Sequence, residues 1–359
     1  MTGDRMLRIG LIGVGTVGIL HLEAYRALRH ASVVAVAEAD VGRRNSATAG
    51  GTVRAYSDAS TLLAAEQLDI VCISTPASSH ESLVRLCAAA GTDILCEKPL
   101  ALSPESGRRM IQVTNDCGVR LFYGSSYRFL PALLTARRLI QAGVIGDVML
   151  LREQALGGRG MAHASAMPLS HYPAGGPGGF AMGLVDHGIH LIDIFNWLAN
   201  SVVVSSSGRA NRSGGPLRTE FLNIEYDSGA IGQLVYNECT FPTELPSEGM
   251  FAEGDGWDVN GFVKAGEWAK QPSCIHIYGT RGALRIFHYA NKVFVVDETG
   301  ARQVRVDGDP PPLHFRSQMN CFVDDILAGR PASTPSTAGV SALEVLFSAF
   351  GPLASEMDH

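Results

Sequence analysis

The most constraining feature of the chain is a glycine-rich turn that directly follows an apolar strand. Residues 7–18 have the sequence LRIGLIGVGTVG, and a helix is predicted over 19–30. In a parallel α/β unit the first glycine permits a tight turn, the second lets the backbone approach a pyrophosphate, and the third allows close helix–strand packing. The helix N-terminus then attracts the phosphates. We therefore predict a dinucleotide site that includes Gly13, Gly15, Thr16 and Val17.

The next strand, residues 33–37, ends at Glu38, which lies 38 − 18 = 20 residues after the third glycine. An acidic side chain at this spacing accepts hydrogen bonds from the ribose hydroxyls of the adenosine and repels a 2′-phosphate. Glu38 therefore predicts NAD rather than NADP. Arg43 and Arg44 are the counter-evidence, because two guanidinium groups close behind the strand could hold that phosphate.

Strands and helices alternate through the first third of the chain, with strands predicted at 69–75, 93–97 and 119–123. This alternation predicts a doubly wound parallel sheet, which binds ligands beyond the carboxyl ends of its strands. His80 is predicted either to contact the cofactor or to cap its helix. The residues at the strand ends are predicted cofactor contacts: Ser74, Thr75, Pro76, Glu97 and Lys98.

The pattern changes after residue 126. Short turns between β-rich runs predict mostly antiparallel pairing. The predicted fold class is α/β, with a Rossmann domain at 1–126 and a second α/β domain at 127–359. In the second domain, helices are predicted at 131–142, 313–328 and 337–350, and strands at 147–155, 201–211, 217–227, 230–239, 273–279, 283–287 and 292–297.

Two irregular segments, 157–178 and 243–272, fit neither pattern. Long irregular segments in compact domains are often functional loops. We therefore predict pocket walls or a subunit contact at both, with Tyr172 as a candidate substrate contact.

The run GLVDHGIHLID has helical apolar spacing and carries Asp186, His190 and Asp193. Residues four apart lie on one helix face, so Asp186 is predicted to orient the His190 ring and raise its basicity, as a general base requires. Lys98 would complete this catalytic set. Two alternatives are open: His190 is a buried core histidine, or Asp186, His190 and Asp193 bind zinc or manganese. No fourth ligand is evident, so we predict no metal.

The composition is that of a globular protein, with 46% hydrophobic and 18% charged residues. A net charge of −6 without a basic run disfavours nucleic acid as a partner. No stretch is long enough for a bilayer, and the fold begins too close to Met1 for a signal peptide. Seven cysteines without paired spacing indicate a reducing compartment and no structural zinc, so we expect a cytoplasmic protein without membrane association.

Taken in order, these motifs resemble the glucose-fructose oxidoreductase / inositol dehydrogenase (Gfo/Idh/MocA) family over nearly the full length. EKP together with the spaced D…H helix is the most specific part. The motifs are GVGTVG, STP at 74–76, EKPL at 97–100, RFLP at 128–131, IGDV at 145–148, DHGIHLID at 186–193 and YGTRGALRI at 278–286.

The resemblance implies NAD(P)-dependent oxidation or reduction of a sugar, polyol or cyclitol, and a large open sheet that forms a homodimer or homotetramer. By this resemblance Lys98 touches the nicotinamide ribose and the reacting oxygen, Glu97 contacts the cofactor, and a cis bond precedes Pro99. Asp186 and His190 match the substrate-holding carboxylate and the general acid/base, and the sequence leaves open an exchange of roles between Lys98 and His190. Ser126 departs from the pattern, since many relatives have Asn there, which leaves nearby substrate contacts open. Arg128 is predicted to contact substrate or to form a structural salt bridge.

Two rival functions use the same residues. One is NAD-dependent glycoside cleavage, in which transient oxidation at C3 acidifies the neighbouring C–H and allows elimination. It would release free sugar without net NADH. The other is a non-catalytic regulator that binds NAD and sugar, which the presence of Lys98, Asp186 and His190 disfavours.

Overall fold

The computed structural model describes residues 6–156, 182–211, 219–237 and 274–351. The chain divides into two compact units, the first formed by Met1–Ser126 and Pro312–Ser341 and the second by Tyr127–Pro311 and Ala342–His359. The irregular segments 157–178 and 243–272, with Tyr172, lie outside the described residues.

A six-stranded parallel sheet forms the centre of the first unit, with strand order β3-β2-β1-β4-β5-β6. The order reverses between β1 and β4, and ligands bind at such a switch point in doubly wound sheets. The predicted parallel sheet is therefore confirmed. The strands are β1 (Leu7–Ile12), β2 (Ala31–Ala37), β3 (Arg54–Tyr56), β4 (Ile70–Ile73), β5 (Asp93–Glu97) and β6 (Leu121–Gly124).

The helices of this unit begin at polar caps that the sequence supplies. Asp40 and Asp58 accept hydrogen bonds from the backbone N–H groups three residues later, and Ser103 does the same ahead of Pro104 at the first helical position. The helices are α1 (Thr16–Tyr25), α2 (Val41–Ala47), α3 (Ala59–Ala65), α4 (His80–Ala89) and α5 (Pro104–Asp116).

Helix α1 ends at Tyr25, five residues before the predicted end at His30. The cause is the sheet, because the His30 carbonyl already accepts a hydrogen bond from the Leu7 N–H at 2.9 Å. The chain must therefore leave the helix and turn into β2 before residue 30.

Residues 312–341 belong to the first compact unit, whereas the sequence-based division places them in the second domain. Two contacts account for this. The Thr334 carbonyl accepts a hydrogen bond from the Tyr123 N–H of β6 at 2.9 Å, and Phe122 pairs with Pro335 in an isolated bridge. Helix α9 (His314–Leu327) also packs against α1.

The second unit is built on an eight-stranded sheet with strand order β14-β13-β12-β11-β7-β10-β9-β8. Its pairs are antiparallel except β7 with β10, so the predicted mostly antiparallel sheet and the α/β class are confirmed. The strands are β7 (Val148–Leu156), β8 (Val203–Ala210), β9 (Glu220–Tyr226), β10 (Ile231–Asn237), β11 (Ile275–Gly279), β12 (Ala283–Phe287), β13 (Lys292–Asp297) and β14 (Gly300–Val304).

One face of this sheet is buried, and the other, which we call the outward face, is exposed to solvent. Along β9 the residues alternate strictly between buried and exposed, which is the pattern of a strand with one solvated face. The remaining helices are α6 (Pro131–Gln141), α7 (Met182–Asp186), α8 (Gly188–Ala199) and α10 (Ser336–Phe350). Among the described residues, every helix is too short or too polar to span a bilayer.

Candidate functional site

The glycine turn of the first unit follows β1 and has the geometry that the sequence predicts. Gly13 has φ +87°, and a Cβ there would lie 2.8 Å from Thr75 Cγ2 and 2.9 Å from the Ser74 carbonyl oxygen. A Cβ at Gly18 would overlap the Gly13 carbonyl. The first and third glycines are therefore required by the turn and by helix packing, respectively.

The second glycine leaves open space. A Cβ at Gly15 would meet no atom within 4 Å, and Gly15 is the residue just before α1. Thr16 and Val17 form the first turn of that ten-residue helix, and Thr16 is exposed. The backbone N–H groups of this turn have no partners inside the helix, so they form a cradle for the phosphates of a dinucleotide.

Glu38 lies at the end of β2 and is 7% exposed. Its Oε2 accepts the Val14 N–H at 2.9 Å, and its Oε1 accepts the Asp40 N–H and the Arg43 guanidinium, each at 2.9 Å. Burial alone would raise the pKa of Glu38, but the hydrogen bonds from Arg43, Asp40 and Val14 hold it below its usual value. The carboxylate is therefore charged near neutral pH and is attached to the glycine turn itself.

The STP motif follows β4 at the switch point of the sheet. The Ser74 hydroxyl donates to the Gly13 carbonyl at 2.8 Å, and the Thr75 and Ser79 hydroxyls lie 2.7 Å apart. Pro76 is exposed. Ser74 thus supports the glycine turn, which places Thr75 and Pro76 beside it.

His80 is fully buried. Its Nδ1 lies 3.0 Å from the Pro99 carbonyl oxygen and 3.2 Å from that of Leu100, and its Nε2 lies 2.9 Å from that of Thr75. Burial lowers the pKa of His80, although the nearby carbonyl groups oppose the shift. The ring contacts the backbone of the segments after β4 and β5, and contact with the cofactor stays a prediction.

Glu97 ends β5, and its hydrogen bonds are internal to the first unit. Its Oε1 lies 2.6 Å from His21 Nε2, and its Oε2 accepts the Lys98 N–H at 3.1 Å. Glu97 is 4% exposed, Lys98 is partly exposed, and the Lys98–Pro99 bond is cis, as the resemblance implies. The predicted cofactor contact of Glu97 stays a prediction. Sequence reasoning missed His21, although its position on the buried side of α1 was a signal.

The residues of this end of the sheet fit a dinucleotide. The open cradle at Gly15 admits phosphate groups, and the buried carboxylate of Glu38 is suited to ribose hydroxyls. The residues that would hold the cofactor are Gly13, Gly15, Thr16, Val17, Glu38, Ser74, Thr75, Pro76 and Lys98.

In the second unit the predicted helix around His190 is interrupted. Helix α7 ends at Asp186 and α8 begins at Gly188, with His187 between them. The His187 N–H still donates to the Gly183 carbonyl at 2.9 Å, and the His190 N–H donates to the His187 carbonyl at 3.1 Å. The side chain of Asp186 lies outside the described residues, so its predicted contact with His190 stays a prediction.

His190 is 6% exposed and stacks on Tyr127. The ring centroids are 3.9 Å apart and the planes differ by 5°. The Tyr127 hydroxyl lies 3.3 Å from His187 Nδ1, and the rings of His288 and Tyr289 are within 5.7 Å of the Tyr127 centroid. Tyr127 thus fixes the plane of the His190 ring. Sequence reasoning missed Tyr127, His288 and Tyr289, which no motif connects to His190, and it also missed His187, which lies in the same DHGIHLID run.

Arg128 forms a bidentate ion pair with Asp193. Arg128 Nε donates to Asp193 Oδ2 at 2.8 Å, and Nη2 donates to Oδ1 at 2.6 Å. Asp193 is 1% exposed and Arg128 is 8% exposed. The pair ties α8 to the segment before α6, which is the structural alternative considered for Arg128. Substrate contact by Arg128 stays a prediction.

Two sequence models of one family match most of the chain. The model described as an oxidoreductase family with an NAD-binding Rossmann fold matches residues 7–125, and the Gfo/Idh/MocA C-terminal domain matches residues 133–285. The chain belongs to the Gfo/Idh/MocA family of oxidoreductases. The resemblance that the motifs indicate is therefore confirmed, and with it a first domain of the NAD-binding type.

Several named dehydrogenases are similar to this chain in sequence. Inositol 2-dehydrogenase 1 from Saccharopolyspora erythraea is 30% identical over 273 residues, which cover 69% of this chain and 77% of that protein. D-apiose dehydrogenase from Paraburkholderia graminis is 42% identical over 137 residues, which cover 38% of this chain and only 36% of that protein.

Solved structures share the fold over almost the whole chain. An oxidoreductase from Agrobacterium radiobacter, in complex with NAD+, L-tartaric acid and magnesium, has a TM-score of 0.77 at 20% identity, and the match covers 98% of this chain and 96% of that one. Scyllo-inositol dehydrogenase from Lactobacillus casei, with bound NAD(H) and scyllo-inositol, has a TM-score of 0.73 at 21% identity, covering 96% of each chain.

Proposed function

We propose that this family member is an NAD-dependent dehydrogenase that acts on a secondary hydroxyl of a sugar, polyol or cyclitol. The observation that carries the proposal is the cradle at Gly15 with the charged Glu38 carboxylate attached to the same turn. The substrate class follows from the relatives, which include inositol and D-apiose dehydrogenases. A bound nicotinamide would supply the acceptor for the hydride that leaves the carbinol carbon.

Side chains of the protein would transfer the hydroxyl proton and stabilise the negative charge on the reacting oxygen. His190 removes the hydroxyl proton as the hydride leaves, or returns it in the reverse direction, and the stack on Tyr127 holds its ring in one plane. Lys98 stabilises the negative charge that develops on the reacting oxygen. Asp186 orients the imidazole and accepts a substrate hydroxyl, and Arg128 and Tyr172 are the further candidate substrate contacts.

A substrate screen tests the function directly. The protein is incubated with NAD and a panel of sugars, inositols and glycosides, and the absorbance of reduced nicotinamide is followed beside a Lys98→Ala variant. We expect turnover of at least one polyol by the natural chain and loss of that turnover in the variant. Free sugar without net NADH would instead support glycoside cleavage. Tight NAD binding without turnover on any compound would contradict a dehydrogenase and favour a regulator.

Replacing Glu38 with Ser is expected to change the cofactor preference. The loss of hydrogen bonds to a charged group lowers kcat/KM with NAD by about 10–100-fold. The kcat/KM with NADP rises for two reasons. The charge that repels a 2′-phosphate is gone, and Arg43 is released from its 2.9 Å hydrogen bond to Glu38. Steady-state kinetics with both cofactors check this, and Glu23→Ser, an exposed glutamate of α1, is the matched control. An unchanged ratio of the two kcat/KM values would contradict the role of Glu38.

We also propose that the outward face of the large sheet joins copies of the chain into a homodimer or homotetramer. Ile231, Phe221 and Tyr278 lie on this face and are 46%, 47% and 42% exposed. The register places Leu150 between Ile231 and Tyr278, which makes a continuous apolar row across three strands. Such rows on one surface mark interaction sites.

An Ile231→Asp variant is therefore expected to shift the protein towards the monomer, because a carboxylate cannot be buried without a partner. Light scattering coupled to size-exclusion chromatography measures the mass of both proteins at equal concentration. Met149→Asp, at another half-exposed apolar side chain, is the control. If the natural chain already elutes as a monomer, the assembly proposal is wrong.

A further inference from the structure

His21 is a polar residue that is fully buried inside the first unit. It lies on α1, three residues after Gly18. Its Nε2 is 2.6 Å from Glu97 Oε1, and its Nδ1 is 2.7 Å from the Tyr25 hydroxyl. The Phe315 ring packs against the imidazole with centroids 4.6 Å apart. A buried imidazole held on both nitrogens and one face has a single orientation.

The groups beyond His21 Nδ1 are a phenol and a thiol that keep their protons. Burial raises the pKa of Tyr25 well above its usual value, and the nearby Cys72 and Glu97 add to the shift, so the phenol keeps its proton. Burial likewise raises the pKa of Cys72, whose Sγ lies 3.7 Å from the Tyr25 hydroxyl. The Tyr25 hydroxyl therefore lies between the Cys72 thiol and His21 Nδ1, and His21 Nε2 faces the Glu97 carboxyl group.

The chain of hydrogen bonds ends at the backbone of Lys98. The second oxygen of Glu97 accepts the Lys98 N–H at 3.1 Å, so the carboxylate joins the imidazole to this lysine. On the other side of Lys98, the carbonyl oxygens of Pro99 and Leu100 lie 3.0 and 3.2 Å from His80 Nδ1. Two buried imidazoles therefore hold the residues before and after Lys98.

We propose that His21 is a positioning residue for Lys98, that it acts through Glu97, and that His80 fixes the following turn. The inference rests on the proposed role of Lys98 in stabilising the reacting oxygen. A cation stabilises a transition state only when it is held in place beforehand, and a displacement of about 1 Å can cost about 10²-fold in rate. A fixed carboxylate ahead of Lys98 removes the freedom of its backbone to shift.

Two isosteric variants separate positioning from packing. In His21→Gln an amide N–H donor stands near the position of Nε2, whereas in His21→Asn the amide reaches only the position of Nδ1. We expect kcat to fall by about 10²-fold in the Asn variant and to be largely kept in the Gln variant. The Kd for NAD changes less than kcat in both variants, because the cradle at Gly15 is untouched. Tyr25→Phe, which removes only the phenol oxygen, should have an intermediate effect.

A second measurement needs no cofactor and no substrate. Lysines of the cofactor-free protein are acylated with an amine reagent, and the rates at Lys98 and Lys292 are compared by peptide mass spectrometry. We expect faster labelling of Lys98 in His21→Asn than in His21→Gln or the natural chain, with Lys292 of β13 as the internal reference.

These measurements distinguish a failure of the proposed dehydrogenase function from a failure of the positioning role of His21. If no polyol is turned over but the labelling of Lys98 responds to His21→Asn, the proposed function fails and the positioning role stands. If the natural chain is active, and the Asn and Gln variants have equal kcat and equal labelling rates, the positioning role is overturned. A loss of kcat that follows the melting temperature across the variants would overturn it as well, because it would reduce His21 to a packing residue.

Discussion

A His190→Asn variant is expected to lose about 10²–10⁴ in kcat, while the KM for the substrate and the affinity for NAD change little. Asn keeps a polar group at the position of Nδ1 but cannot take up the proton of a carbinol. His190 is 6% exposed, and its ring lies flat against Tyr127 at 3.9 Å, so the amide can occupy the same place without disturbing the fold. Steady-state kinetics on the best substrate, with thermal melting of both proteins, measure this effect.

Two further histidines serve as controls for His190. His276 lies on the outward face of the large sheet, where its neighbours are Arg152 and Arg285, and His276→Asn should leave kcat unchanged. His187 contacts Tyr127 through its Nδ1 at 3.3 Å, so His187→Asn should have a smaller effect than His190→Asn. Equal losses in the His187 and His190 variants would assign the general base to the cluster as a whole and contradict the role of His190.

Replacing Asp193 with Ala is expected to destabilise the second unit by about 3–5 kcal/mol, because it leaves the Arg128 guanidinium buried without its carboxylate. The pair is bidentate, with N–O distances of 2.8 and 2.6 Å, and Asp193 is 1% exposed. The Trp197 ring lies 5.6 Å from the guanidinium carbon and cannot replace the lost charge. Urea denaturation followed by tryptophan fluorescence measures the loss.

The double variant Arg128→Met/Asp193→Leu is the informative comparison, since apolar residues of similar volume often replace a buried ion pair without loss of stability. It should recover most of the stability that Asp193→Ala loses. Asp307→Ala, in a pair with Arg305 whose side chains are 65% and 87% exposed, should cause no measurable change. If Asp193→Ala is as stable as the natural chain, the buried ion pair does not contribute to the free energy of unfolding.

Much of the fold follows from local patterns. The glycine turn between an apolar strand and a helix indicates a parallel unit, and the alternation after it predicts a doubly wound parallel sheet. The helix end at Tyr25 was missed because His30 is held by Leu7, a contact that local periodicity does not encode. The position of residues 312–341 was missed for the same reason, since Tyr123 and Thr334 are far apart in the sequence.

Local motifs point to candidate residues such as Glu38 and Gly15, whose roles at the site stay predictions. The site was not predictable where a contact joins distant segments. His21 and Glu97 are 76 residues apart, and Tyr127 and His187 are 60 apart, so only the tertiary structure brings them together. The interruption of the helix at His187 was missed because the apolar spacing continues through it without a break.

The position of β7 in the middle of its sheet has a consequence for biosynthesis. β7 ends at Leu156, and its neighbours β10 and β11 begin 231 − 156 = 75 and 275 − 156 = 119 residues later. At about 5–20 residues per second, a ribosome leaves both edges of this strand open for roughly 4–15 s. Nascent chains can associate through such edges during that interval. Chaperones that cover β7 during this interval should therefore raise the yield of folded protein.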